Sequence, residues 1–268
     1  MEKIYDAIII GSGPAGLSCG LYLARANKSF LIFEKNEPLS KIKKIKQIDN
    51  YLGFNNISGI KLANNMLEHS KKYFDIVKST ITSIYKVENY FIVSDNINAF
   101  YSKNIVLATG VEEKNIIVNA KDYVGKGLSY CISCDGFLYK GKKVALIGTN
   151  SQLNEMKKEI DSLTNQLVLI DIDKEKDLNI IGTNKVEGLK SNKNEYECEG
   201  IFVYPSYSPI NIEIDVNKKG PFIITDEHLE TNIKGLYAIG DCNDKDLKQV
   251  STAVSDGAIA ATNIIKSL

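Results

Sequence analysis

The segment that most limits what this chain can fold into lies at its start. A β-branched run from Ile4 to Ile10 passes directly into Gly11-Ser12-Gly13-Pro14-Ala15-Gly16, and Leu17, Leu21 and Ala24 then recur at helical spacing. Ser29 to Phe33 reads as a second strand ending at Glu34, 23 positions after Gly11. A strand, a glycine turn, a helix and a strand closed by an acid about 20 residues on form the pattern of a dinucleotide cradle. Each residue type has a physical reason. Gly11 permits the tight turn, Gly13 lets the backbone approach a pyrophosphate, and Gly16 lets helix and strand pack closely. The free amides of the helix N-terminus meet the phosphate charge, and Glu34 can accept hydrogen bonds from ribose hydroxyls.

The pattern returns near mid-chain in altered form. Lys143 to Ile147 reads as a strand, Gly148 opens a turn, Gln152 to Ser162 reads as a helix, and Leu167 to Ile170 is a strand ending at Asp171, again 23 positions after its glycine. The turn, however, reads Gly148-Thr149-Asn150-Ser151-Gln152-Leu153, and its other glycines are gone. Asn150 is expected to put a side chain in the pyrophosphate path and Leu153 to crowd the helix against the strand. Asp171 is expected to repel the 2′-phosphate of NADPH, while an NADH site stays conceivable. Elsewhere, Ile105-Val106-Leu107 closes in Ala108-Thr109-Gly110, Gly235 to Ile239 leads into Gly240-Asp241, and Ala253 to Ile265 reads as a helix of small residues.

Composition narrows the class. A chain of 268 residues holds one large or two modest domains, and 44% hydrophobic with 25% charged residues is a globular balance. Lys plus Arg and Asp plus Glu both total 33, which disfavours a nucleic-acid partner, and Arg25 is the only arginine. Five cysteines in so long a chain do not form a secreted disulfide framework. No signal-peptide pattern or membrane-length apolar run is visible, so a soluble, cytoplasmic protein without a membrane partner is expected.

Cys131-Ile132-Ser133-Cys134, followed by Asp135 and Gly136, is a C-x-x-C. Two thiols at this spacing can close a small disulfide ring, and a helix N-terminus or neighbouring donor can activate one of them. The same spacing is half of a zinc site, but zinc normally takes four ligands, there is no second C-x-x-C, and His69 and His228 stand apart. The redox reading is preferred and no metal is expected. Cys19, Cys198 and Cys242 are expected to be inert residues in packed elements.

Together, Gly11 to Gly16, Ala108-Thr109-Gly110, Cys131-Ile132-Ser133-Cys134-Asp135-Gly136, Gly240-Asp241 and Gln249-Val250-Ser251-Thr252-Ala253 resemble, in order and over nearly the whole chain, the low-molecular-weight thioredoxin reductases. The resemblance implies an α/β protein of two Rossmann-like, three-layer domains. Residues 1–111 and 218–268 would form a discontinuous FAD domain, and residues 112–217 an inserted, reduced NADPH-type domain carrying the cysteine pair. It implies that Cys134 faces the flavin, that Cys131 attacks the partner disulfide and that Asp135 moves the proton. Gly11, Ser12, Gly13, Pro14, Ala15 and Gly16 with Glu34 and Lys35 would hold the FAD pyrophosphate and adenosine. Ala108, Thr109 and Gly110 would pass near the cofactor, Asn50 with Lys248, Gln249 and Val250 would border the isoalloxazine, and Gly240 with Asp241 would bind the ribityl or pyrophosphate region. A homodimer is also implied.

Two departures stand out against that family. Its second glycine turn and arginine-rich segment are replaced here by the degraded turn and by Ile170-Asp171-Ile172-Asp173-Lys174-Glu175, and the loop before Asn50 reads Ser40-Lys41-Ile42-Lys43 in place of paired glycines. Flavin and dithiol without a nicotinamide site resemble the ferredoxin-dependent flavin thioredoxin reductases. The expected activity is therefore reduction of thioredoxin with electrons from ferredoxin. The lysines at 41, 43, 44 and 46 form either a dock for an acidic donor or a solvated loop. The alternatives are an NADPH- or NADH-dependent reductase, a dithiol oxidase, and a non-catalytic flavin redox sensor.

Overall fold

The structure is a computed structural model. It describes residues 3–35, 37–95, 97–113, 116–204, 207–208 and 214–268, with the backbone alone at Ser40, Glu112, Glu113, Ser133, Cys134, Tyr207 and Ser208. The chain divides into two compact units, Met1–Glu112 with Pro209–Leu268, and Glu113–Ser208. Val216, within the stretch expected for the inserted domain, packs with Ile223 in a core of the first unit.

In the first unit the chain runs through β1 (Ile4–Ile10), α1 (Pro14–Arg25), β2 (Phe30–Glu34), α2 (Ser40–Lys43), α3 (Gly59–Lys71), β3 (Val77–Lys78), β4 (Ser83–Val87), β5 (Tyr90–Ser94) and β6 (Ala99–Leu107), and β7 (Glu112–Glu113) falls on the sequence boundary between the units. The central sheet has the order β3-β2-β1-β6-β5-β4, with β1 parallel to β2 and β6. Alternation along β1 splits the core in two, as period-two side chains require. Ala7 and Ile9 join Leu17 and Leu23 of α1, while Ile8 and Ile10 join Phe33, Phe91, Ile105 and Leu107. A fully buried Ile or Phe of this kind contributes about 1.5–3 kcal/mol.

The second unit contains β8 (Leu128–Ser129), α4 (Ile132–Asp135), β9 (Val144–Gly148), α5 (Asn150–Ile160), β10 (Leu167–Asp171), β11 (Asn179–Ile181), β12 (Gly188–Lys190), β13 (Glu195–Glu197), β14 (Gly200–Val203) and β15 (Tyr207–Ser208). Its parallel sheet has the order β10-β9-β14-β8, and β11-β12-β13 form a separate antiparallel sheet. Val144, Leu146 and Phe202 pack on Leu153, Met156 and Ile160 of α5, whereas Ala145 and Ile147 pack on Ile170, Leu178, Leu189 and Ile201. One expectation is corrected: Leu153 does not crowd the helix off the strand but lies in the core, 4% exposed. Asn150 is an exposed residue in the first turn of α5.

The chain returns to the first unit with β16 (Lys218–Lys219), β17 (Phe222–Ile223), β18 (Leu236–Ala238) and α6 (Val250–Ser267). β18 pairs in parallel with the C-terminal part of β6, Leu236 opposite Ile105. α6 lies so close to α1 that a Cβ at Gly257 would sit 2.2 Å from Ala15 O and 2.7 Å from Cys19 N. Gly257→Ala must therefore push the helices apart, and we expect a loss of about 2–3 kcal/mol in urea unfolding, as for an overpacked core. The exposed neighbour Ser255→Ala should be neutral, and equal midpoints for the two variants would refute the close crossing.

Candidate functional site

Three strand ends of the first unit converge on the start of α1. A Cβ on Gly11, whose φ is +106°, would lie 2.3 Å from Ala108 O, and one on Gly16 would lie 2.0 Å from Gly11 O. Side chains are thus excluded where β1, α1 and the Ala108-Thr109-Gly110 turn meet. Gly13 is the opposite case, because among the described residues no heavy atom beyond its chain neighbours and its own helix lies within 4 Å of its Cβ position. It caps α1 without any side-chain bond, so the first-turn amides face open space where an anion can approach.

Glu34 is fixed at the edge of this cradle. Its Oε2 accepts hydrogen bonds from the Ser12 amide at 2.8 Å and the Ser12 hydroxyl at 2.9 Å, with Ser12 fully buried. The acid is held by the glycine turn that it would serve. Lys35, the next residue, is exposed.

Gly240 and Asp241 reach the same place from β18. The Cβ position of Gly240 is 3.0 Å from Ala15 Cβ, and Asp256 of α6 accepts the Gly240 amide at 2.8 Å while pairing with Lys245. Asp241 is half-buried. Asn50 and Gln249, 199 positions apart, are joined by a 3.0 Å bond from Asn50 Nδ2 to Gln249 Oε1, and Val250 begins α6 beside them. Lys248 is turned back on its own loop: Nζ donates to Lys245 O at 2.7 Å and Asn243 O at 3.1 Å and stands 3.9 Å from the Phe222 ring centre. Burial pulls its ammonium below the usual lysine range. Open space at Gly13, uncapped amides and an oriented acid fit a dinucleotide pyrophosphate and its ribose.

The turn after β9 has the same position in the second unit and a different interior. Thr149 and Gln152 form a capping box, with Gln152 Oε1 accepting the Thr149 amide at 2.8 Å. A Cβ at Gly148 would meet Gln152 Cβ at 3.0 Å, so the Gln152 side chain packs into the turn. Asp171 is engaged locally, accepting the Asp173 amide at 3.0 Å and pairing with Lys174 at 3.0 Å. Those contacts, the Asp173 amide first, hold its carboxyl below the usual carboxylate range.

Cys131 sits between β8 and α4, and Cys134 lies within α4. Cys131 is disulfide-bonded and half-buried; the side chain of Cys134 lies outside the described residues. The Cys131 amide donates to Ser129 Oγ at 3.1 Å, and Ser129 Oγ donates to Asp135 Oδ2 at 2.6 Å. Ser129 was not singled out in the sequence; its only signal there is a small polar residue two positions before the first cysteine. Cys19, Cys198 and Cys242 are free and buried. His69 packs edge-on against Tyr73 and His228 is exposed beside Glu227. Among the described residues no helix is long and apolar enough to cross a membrane.

The lysine loop is mixed in character. Lys41 Nζ donates to the Val111 carbonyl, Lys43 is half-buried, and Lys44 and Lys46 are exposed.

Comparison with known proteins agrees with this geometry. The family model of the pyridine nucleotide-disulphide oxidoreductases matches residues 5–151 and 150–257. A thioredoxin reductase of Mycoplasma genitalium is 31% identical over 300 aligned positions, covering 98% of this chain and 95% of the relative. The solved thioredoxin reductase of Streptococcus pyogenes superimposes with a TM-score of 0.87 at 27% identity over 100% of both chains. A ferredoxin-flavin thioredoxin reductase of Clostridium acetobutylicum gives a TM-score of 0.61 at 32% identity, covering 98% of this chain and 97% of that one. The chain belongs to the pyridine nucleotide-disulphide oxidoreductase family, among its low-molecular-weight thioredoxin reductases.

Proposed function

We propose that this chain is an FAD-dependent thioredoxin reductase that receives its electrons from reduced ferredoxin and not from a nicotinamide coenzyme. The observation that carries the donor assignment is the contrast between its two glycine turns. Gly13 faces open space before an uncapped helix, whereas the turn at Gly148 is filled by Gln152 and its helix is capped from within. One turn has a place for a pyrophosphate and the other has used it. The neighbouring acid, Asp171, is likewise engaged by Asp173 and Lys174.

Gly11 to Gly16 and Glu34 would hold the FAD pyrophosphate and adenosine, Gly240 and Asp241 the ribityl region, and Asn50 with Gln249 and Val250 the ring; Lys248 would brace the loop that carries them. When bound, FAD supplies a carrier that accepts electrons singly and yields them in pairs. The chain's own chemistry is thiol exchange. Cys131, as a thiolate, bonds to one sulfur of the thioredoxin disulfide and the partner's S–S bond breaks. The leaving sulfur takes a proton from Asp135. Cys134 then gives its proton to water and attacks the Cys131 sulfur, so the Cys131–Cys134 bond forms, the mixed disulfide breaks, and the second partner sulfur departs and takes a proton from water. Two electrons and two protons have passed from dithiol to disulfide.

The energetics permit the donor. Plant-type ferredoxins lie near about −400 mV and thioredoxin near about −270 mV, so a two-electron transfer is downhill by about 6 kcal/mol. The Clostridium acetobutylicum neighbour is a reductase named for the same donor. Family membership favours a second reading, in which NADPH or NADH enters by a rearranged pocket.

Anaerobic titration of the FAD-loaded protein separates the two. Reduced ferredoxin should bleach the flavin absorbance, with NADPH and NADH slow even in large excess; rapid bleaching by micromolar nicotinamide would reverse the donor assignment. Encounter with an acidic donor should weaken with added salt if the exposed Lys44 and Lys46 take part, and a rate indifferent to ionic strength removes that loop from the reaction. Gln152→Ala should cost about 1 kcal/mol of stability, as loss of a helix cap does, with the ferredoxin-driven rate unchanged. A fall in that rate without a fall in stability would place Gln152 in catalysis.

A further inference from the structure

Ser129 lies at the end of β8, 6% exposed, in contact with both functional ends of the cysteine segment. Its Oγ accepts the Cys131 amide at 3.1 Å and stands 2.6 Å from Asp135 Oδ2, against 3.3 Å from the Cys131 carbonyl. A hydroxyl has one proton to donate, and the shorter contact to the carboxylate takes it. β8 is itself anchored, pairing in parallel with β14 at Ser129 and Phe202. The Asp135 amide also donates to the Cys131 carbonyl at 3.2 Å. The carboxyl is therefore tied through Ser129 to a sheet strand and, through the same oxygen atom, to the backbone of Cys131.

We propose that Ser129 is a positioning residue for proton delivery. By occupying Oδ2 it fixes the plane of the Asp135 carboxyl and leaves Oδ1 to carry the proton to the sulfur that leaves when Cys131 opens a disulfide. This inference rests on the dithiol chemistry proposed above and deepens it. In the step concerned the Cys131 thiolate bonds to one substrate sulfur, the substrate S–S bond breaks, and the departing sulfur takes the proton from Asp135, which recovers one from water. No additional oxidant or reductant enters.

The test uses full-length, FAD-loaded protein reduced with dithionite and freed of excess reductant, with two small disulfides compared under single-turnover conditions. Hydroxyethyl disulfide releases an alkyl thiolate that must be protonated; a bis(nitrobenzoate) disulfide releases a thiolate that is stable without a proton. Ser129→Ala should slow the alkyl disulfide about tenfold, a fraction of what general acid catalysis supplies, and leave the aromatic one near the wild-type rate. Ser129→Thr, which keeps the hydroxyl, should restore the alkyl rate, and Ser129→Ala should add no further loss in an Asp135→Asn background. Equal losses on both substrates, or no loss on either, would overturn the positioning role. A wild-type protein that opens neither disulfide overturns the dithiol chemistry itself and this inference with it.

Discussion

The first unit depends on the absence of side chains where backbone meets backbone. Gly16 lets α1 start against the carbonyl of Gly11, Gly11 lets that turn lie on Ala108 O, and Gly257 lets α6 settle on the carbonyl of Ala15. With any of these gaps filled, α1 could not stand where its N-terminus meets the ends of β1, β6 and β18. That meeting brings Glu34, Thr109 and Asp241 to one end of the sheet, although they are far apart in sequence. Dispersion and apolar burial stabilise the sheet, but its use as a cradle depends on these close approaches.

The two turns show what happens to a helix N-terminus whose amides need acceptors. Those amides can be satisfied by a ligand or by the chain itself, and both solutions occur here. At Gly13 no side chain caps the helix and the space stays open; at Thr149 the neighbouring Gln152 closes the box. The second unit is consistent with that change beyond the turn. Among the described residues no strand is added beyond β10, and the chain after Asp171 is tied to the β12–β13 hairpin by Glu175, which accepts from Tyr196 Oη at 2.8 Å and Ser191 Oγ at 2.5 Å. Asn192 and Lys176 join the same two segments through Lys176 N to Asn192 Oδ1 at 3.0 Å. The segment following the acid has become a structural brace.

What could be read from sequence was whatever is encoded locally. The run from Ile4 to Glu34 combines period-two and helical spacing with a glycine turn, and the structure gives β1, α1 and β2 there. α5 begins at Asn150, two residues before the expected Gln152, because Thr149 is its cap, and α6 runs from Val250 to Ser267, beyond the expected Ala253 to Ile265. α3 buries Gly59, Leu62, Ala63 and Ser70 and packs Met66 and Leu67 against the core, an apolar stripe at helical spacing that is diluted by the Lys, Asn, Glu and His around it. The strands β11 to β13, of three residues each, are too short for alternation to show. In the site, the Asn50–Gln249 bond spans 199 positions and the Ser129–Asp135 bond depends on where α4 turns, so neither leaves a trace in spacing.

Burial also decides which sulfurs can react. Exchange needs a thiolate, and desolvation opposes its formation. Cys19 lies fully buried on α1 and its thiol is pushed far up; burial pushes the thiols of Cys198 and Cys242 up to about 11. At neutral pH a thiol with such a value is ionised in roughly one molecule in ten thousand. Cys242 is further turned inward, 3.2 Å from the carbonyls of Leu107 and Ile239. Cys131, by contrast, is half-buried, already oxidised, and placed on a segment whose amide and neighbouring carboxyl are both fixed by Ser129. Of the five cysteines, Cys19, Cys198 and Cys242 are thus buried as small apolar groups where an anion has no stable place, which leaves the Cys131–Cys134 segment for the thiol exchange proposed above.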